Sequence, residues 1–140
     1  MTGKRNQLSF LLLAGCAYFA SVGVAHTFGI HVPGIYVFFD VPSLKFQDQI
    51  IGLLAFGWAT WLWDVASRAR KRELRTLRPI LVAGWISVVL LAKTAAFTEL
   101  AGGSSERWVY FLPVLALICY LLALEWSQRE LIRGNRNSHS

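Results

Sequence analysis

Cysteine is scarce in this chain of 140 residues: there are two, Cys16 and Cys119, and no CxxC pair. That removes the usual sequence basis for dithiol redox chemistry or a cysteine-rich zinc site. Charge is scarce too, at 16% of residues. The sequence has no glycine-rich phosphate loop, no neighbouring nucleophile and base, and no dense run of His, Cys, Asp and Glu. It also has no internal repeat, no low-complexity tract and no composition break that would mark a second domain. A single domain over residues 1–140 is the expectation.

What the chain has in abundance is apolar surface. With 55% hydrophobic residues, a mean hydropathy of +0.46 and six tryptophans, it holds more than a soluble domain of this length can hide in one core. Four apolar runs are each long enough to cross a hydrocarbon layer of roughly 30 Å, which takes about 20 helical residues. They predict helices at about 8–25, 46–66, 79–100 and 107–127. A lone strand in lipid would leave its backbone groups unpaired, so the expected class is all-α, an integral membrane four-helix bundle. Pro79 suits the start of the third helix. Gly102 and Gly103 supply its stop, making "AGGSSE" a tight hairpin. Pro113 falls inside the fourth run and predicts a local kink.

Orientation follows from the positive charge, because short cytoplasmic loops carry the excess of Lys and Arg. Lys4 and Arg5 precede the first helix. Arg68, Arg70, Lys71, Arg72, Arg75 and Arg78 lie between the second and third, and Arg129, Arg133 and Arg136 follow the fourth. Eleven of the fourteen basic residues thus share one side, against Lys45 and Arg107 on the other and Lys93 within the third helix. Both termini are expected in the cytoplasm, with a long outer loop between helices one and two, in a membrane of the bacterial inner (plasma) type. The basic loop from Arg68 to Arg78 is expected to lie on anionic lipid headgroups. Membrane topology already accounts for the net charge of +6, so nucleic acid is not an expected partner.

At the N-terminus, "LLLAGC" up to Cys16 has the form of a lipoprotein cleavage site, and "GVA" before His26 that of a signal-peptidase site. Yet the residues after Cys16 stay apolar where a tether would be polar, and small-x-small endings are common in membrane helices. Retention of the first helix is expected. The two thiols read as small apolar groups buried in helices one and four.

The stretch "HTFGIHVPG" puts His26 and His31 five residues apart just where the first apolar run ends. On a helix that spacing separates side chains by about 140°, and on a strand it puts them on opposite faces, so only an irregular loop joins them. Asp40, Asp48, Glu99 and Glu106 share the outer level as possible further ligands. A zinc or copper site would need three or four of these groups to converge, and nothing in the spacing enforces it. No histidine lies deep in a span, as haem between helices would need. No metal, haem or other cofactor is therefore expected. The centre of the loop, "GIYVFFDVP", is strongly apolar but cannot span. It reads as an aromatic lid or an interfacial segment, with a helix start in "DVPSLKFQDQ" capped by Asp40 or Ser43.

Asp64 and Glu125 each precede an arginine by four residues, Arg68 and Arg129, the order that favours a helical ion pair. Lys93 stands apart, about 21 Å along the third helix from Pro79. An intramembrane lysine is a candidate functional group, and one partner for it would be Asp48 or Asp40, since Glu99 lies about 120° around the helix. A polar site, if present, is expected under the outer lid between His26, His31, Asp40, Asp48 and Lys93. Gly52, Ala55 and Ala59 form a small-residue stripe on helix two, as Ala14, Ala17 and Ser21 do on helix one. Both predict close helix contacts or oligomers with itself or another membrane protein. Trp58 and Trp61 are expected to pack on another helix or on lipid.

Three functions stay open. The first is a non-enzymatic accessory or assembly subunit of a membrane complex. The second is a small transporter: the four-helix size resembles that of small multidrug exporters, but the acidic residue they carry in their first helix is missing, since residues 8–25 hold no charge. The third is a membrane enzyme or metal-binding protein using His26, His31 and an outer carboxylate.

Overall fold

The structure, a computed structural model, describes residues 2–32, 35, 44–71, 74–97 and 111–136. They form four long helices: α1 (Thr2–Phe28), α2 (Lys45–Arg70), α3 (Leu77–Phe97) and α4 (Phe111–Arg136), with a 3-10 turn, Leu74–Thr76, leading into α3. Every one of the four is long and apolar enough to cross a membrane. The described chain is all-α and has the form of an integral membrane protein. The lid centre, the hairpin after α3, Asp40, Ser43, Arg72, Glu99, Glu106 and Arg107 lie outside the described residues.

The helices differ from the predicted spans at their ends, for local reasons. α1 continues past Ala25 to Phe28, where Gly29 takes a left-handed conformation at φ 67° that only glycine adopts without strain. The N–H of Ile30 then bonds the carbonyl of Ala25 at 2.8 Å, the long bond of a Schellman stop. α2 begins behind Leu44, which has no capping oxygen of its own; instead the Leu44 N–H donates to Oε1 of Gln47 at 3.4 Å. α2 thus starts at Lys45, one residue from the expected 46, and the expected caps Asp40 and Ser43 lie outside the described residues. At its other end α2 runs on to Arg70, helped by basic residues in the last turn. Pro79 is the third residue of α3 and Pro113 the third of α4. Pro79 thus sits in a first turn, whose N–H groups lack intrahelical partners anyway, while the residues before Phe111 that bear on the kink expected at Pro113 lie outside the described residues.

α1 is the hub. It packs along α2 and against α4, α3 rests on α4, and α2 and α3 touch little. Leu8 and Leu12 of α1, Leu62 of α2, Leu77 and Ile80 of α3, and Leu121 and Leu124 of α4 are the large side chains sealed in the core. On α2 the stripe Gly52, Ala55 and Ala59 is buried as expected. On α1 the expected stripe is not: Ala14, Ala17 and Ser21 are exposed, and Leu8, Leu12, Gly15, Val22, Gly23 and His26 form the buried side. A helix apolar all round gives no periodic cue to its inner face. Cys16 is half-buried, while Cys119 is exposed on α4, which corrects its expected burial. Trp58 stacks on Phe19 with ring centroids 5.6 Å apart and lies 5.3 Å from Trp61.

Hydroxyls on outward faces are satisfied within their own helices. Ser21 donates to the Ala17 carbonyl at 2.9 Å, Thr60 to Phe56 at 2.7 Å and Thr94 to Leu90 at 2.9 Å, leaving no bare donor toward hydrocarbon at these positions.

The α1–α2 contact is tightest at Gly52. A Cβ there would lie 2.7 Å from Oγ1 of Thr27 and 3.1 Å from the Gly23 carbonyl oxygen. Gly52→Val is expected to push the helices apart and cost about 1–3 kcal/mol, the usual range for overpacking, read as a lower unfolding midpoint in detergent. An unchanged midpoint would show that α1 and α2 are not in close contact there.

Candidate functional site

The polar site forms where α1 ends and α2 begins. His26 falls in the last turn of α1 and Asp48 in the first turn of α2, and both are buried, at 6% and 9% exposure. The Nδ1–H of His26 donates to Oδ1 of Asp48 at 3.4 Å, at the long end of hydrogen-bond length. The helix termini favour this placement, since a carboxylate suits the positive start of α2 and an imidazole the negative end of α1.

The packing beneath sets the register of the pair. Phe56 of α2 covers Gly23, Thr27 of α1 covers Gly52, and the Thr27 hydroxyl donates back to the Gly23 carbonyl at 2.7 Å. With the two helices held this closely, residues 26 and 48 face each other one turn further out.

Of the expected constellation, then, the structure joins His26 and Asp48. His31 is exposed beyond the end of α1, with Nδ1–H donating to the Gly29 carbonyl at 2.9 Å. Lys93 is exposed on α3, which packs on α4 and not on the α1–α2 end, so it is not drawn to Asp48. Asp40 and Glu99 lie outside the described residues. Among the described residues no three His, Cys, Asp or Glu side chains gather as a metal site would require.

At the other end of the bundle the expected ion pairs form: Arg68 Nε to Asp64 Oδ2 at 2.8 Å, and Arg129 Nη2 to Glu125 Oε2 at 3.2 Å. Glu125 has a further role that sequence spacing did not reveal. Its Oε1 accepts a hydrogen bond from Trp85 Nε1 at 2.8 Å and ties α4 to α3. Likewise the Tyr120 hydroxyl donates to the Leu11 carbonyl at 3.0 Å, tying α4 to α1 across Gly15, where a Cβ would collide with that hydroxyl. Of the basic loop residues, Arg68, Arg70, Lys71, Arg75 and Arg78 are exposed.

At mid-depth, where α2 and α3 separate, lies a cavity of about 260 Å³ lined by Phe19, Trp58, Leu62, Gly84, Ser87 and Tyr120 among others. Its walls are almost wholly apolar, and the Ser87 hydroxyl is engaged with the Ala83 carbonyl at 2.9 Å. Comparisons with protein-family models, curated proteins and solved structures give no match.

Removing one member of the buried pair strands the other in apolar surroundings. Asp48→Leu is expected to cost about 1–3 kcal/mol, Asp48→Asn less because an acceptor oxygen remains, and His26→Leu with Asp48→Leu less than the sum of the two single changes. Unfolding of the four proteins in detergent measures this, and strictly additive losses would mean that the pair does not interact.

Proposed function

We propose that this protein is an accessory or assembly subunit of a membrane complex, without catalysis of its own. The observation that supports the reading best is the use to which its intramembrane polar groups are put. His26 binds Asp48 across α1 and α2, Tyr120 binds Leu11 across α4 and α1, and Trp85 binds Glu125 across α3 and α4. Each fastens one helix to another, and the mid-depth cavity is apolar. Such an arrangement fits a scaffold better than a path for polar cargo.

In this reading both termini and the Arg68–Arg78 loop face the cytoplasm of a bacterial inner membrane, and the basic residues meet anionic headgroups. The partner is a second membrane protein or another copy of the chain. A small transporter is the second reading, and one observation favours it: a buried His–Asp pair within spanning helices is the type of group that proton relays employ.

Mild extraction from the native membrane at native expression, followed by identification of what co-purifies, is expected to yield a stoichiometric membrane partner. A lone monomer that drives proton-coupled flux in liposomes would overturn the accessory reading in favour of transport. For orientation, a cysteine placed at Lys71 is expected to be labelled from the cytoplasmic side and one at Ile30 from the outside. The reverse pattern would invert the topology.

A further inference from the structure

One face of α3 is covered by nothing in the described chain. The buried residues of this helix, Ile80, Gly84, Val88 and Ala95, lie along one side and are turned to the core. At about 100° per residue, Val82, Ile86, Val89, Leu90, Lys93 and Phe97 fall within an arc of about 100° on the opposite side. All six are exposed, the five apolar ones by more than half. Lys93 sits near the middle of this arc, turned away from α4, the helix that α3 leans on.

An unpaired ammonium inside a span is costly. Counted from Pro79, Lys93 is about 21 Å along the helix, about 9 Å short of the far side of a hydrocarbon layer of roughly 30 Å. Its Cα–Cβ bond tilts back toward Pro79, so snorkelling to that far side works against its starting direction. Among the described residues Lys93 has no ion pair or hydrogen-bonded partner. Nor do the described carboxylates of a second copy suit it: Asp48 is buried against His26, and Asp64, Glu125 and Glu130 are engaged by Arg68, Arg129 and Arg133. Two copies meeting through this face would set Lys93 against Lys93. The surface around it is stiff, since Val82, Ile86 and Val89 are β-branched and lose little rotamer freedom when a helix covers them. We infer that the outward face of α3 from Val82 to Phe97 docks a transmembrane helix of a second membrane protein, one that carries an Asp or Glu facing Lys93. Charge complementarity selects this occupant, because intramembrane cations pair with carboxylates inside helix bundles. The inference rests on the accessory reading and names the surface which that reading requires.

Photocrosslinking in the native membrane at native expression tests the site. A benzophenone side chain replaces Val89 or, in separate proteins, Phe10 on α1, Leu53 on α2 or Leu122 on α4, all exposed. Position 89 is expected to give a protein adduct whose linked segment, sequenced by mass spectrometry, is a membrane span holding an Asp or Glu. Lys93→Met is expected to reduce that adduct about tenfold with the unfolding midpoint kept, and Lys93→Arg to retain it. Changing the carboxylate of the linked segment to its amide is expected to reduce the adduct equally. That change leaves this chain unaltered, so it decides the matter even if Lys93→Met fails to fold. An adduct indifferent to the loss of either charge, or a linked span without a carboxylate, would overturn the inference. Lipid adducts alone at position 89, with protein adducts at 10, 53 or 122, would overturn the α3 site and leave the accessory reading standing. Lipid adducts alone at all four positions would overturn both.

Discussion

Between α1 and α2 there is no room for a side chain at position 52, and that close approach sets the rest of the structure. Gly23 and Gly52 let the backbones meet, Thr27 and Phe56 fill the two hollows, and the helices are held in one register. His26 and Asp48 follow from it: two groups that would be expensive to leave alone in a low-dielectric medium are delivered to each other. In lipid there is little hydrophobic force between helices, so association depends on this kind of fit and on internal hydrogen bonds.

The remaining helices share the apolar core with this pair and are also tied in by polar bonds of the same kind. Tyr120 reaches over Gly15 to the α1 backbone and carries α4, and Trp85 reaches Glu125 and carries α3. Because α3 is fastened through α4, it does not close against α2, and the groove at mid-depth is the geometric result. The cohesion of the bundle and the cavity at its mid-depth thus have the same origin, a chain of contacts running α2, α1, α4, α3.

Class and helix count were legible because they depend on length and hydropathy alone. The ion pairs Asp64–Arg68 and Glu125–Arg129 were legible because a helix fixes the geometry of residues four apart. The stripe on α2 could be read from Gly52, Ala55 and Ala59 since bulky tryptophans separate its faces. α1 offered no such contrast, and its small residues Ala14, Ala17 and Ser21 turn outward. His26 and Asp48 were both candidates, but their pairing could not be read, since residues 22 apart on two helices meet only when an interface fixes the register. The signal was present in "HTFG", where glycine ends the helix and leaves His26 inside its last turn. Reading the helix as ending at Ala25 placed that histidine in a loop.

The central claim is that α1 and α2 lock together with His26 against Asp48. The chain has three histidines and three aspartates, which makes it suited to sparse isotope labelling. Dipolar recoupling between ¹⁵N-histidine and the ¹³C-carboxyl of aspartate, recorded by solid-state NMR on the protein in lipid bilayers, reads the distance directly. With Nδ1 at 3.4 Å from Oδ1, a strong short-range dephasing is expected that disappears in Asp48→Asn labelled at aspartate alone. Absence of dephasing in the unaltered protein, or dephasing that survives this substitution, would contradict the clamp.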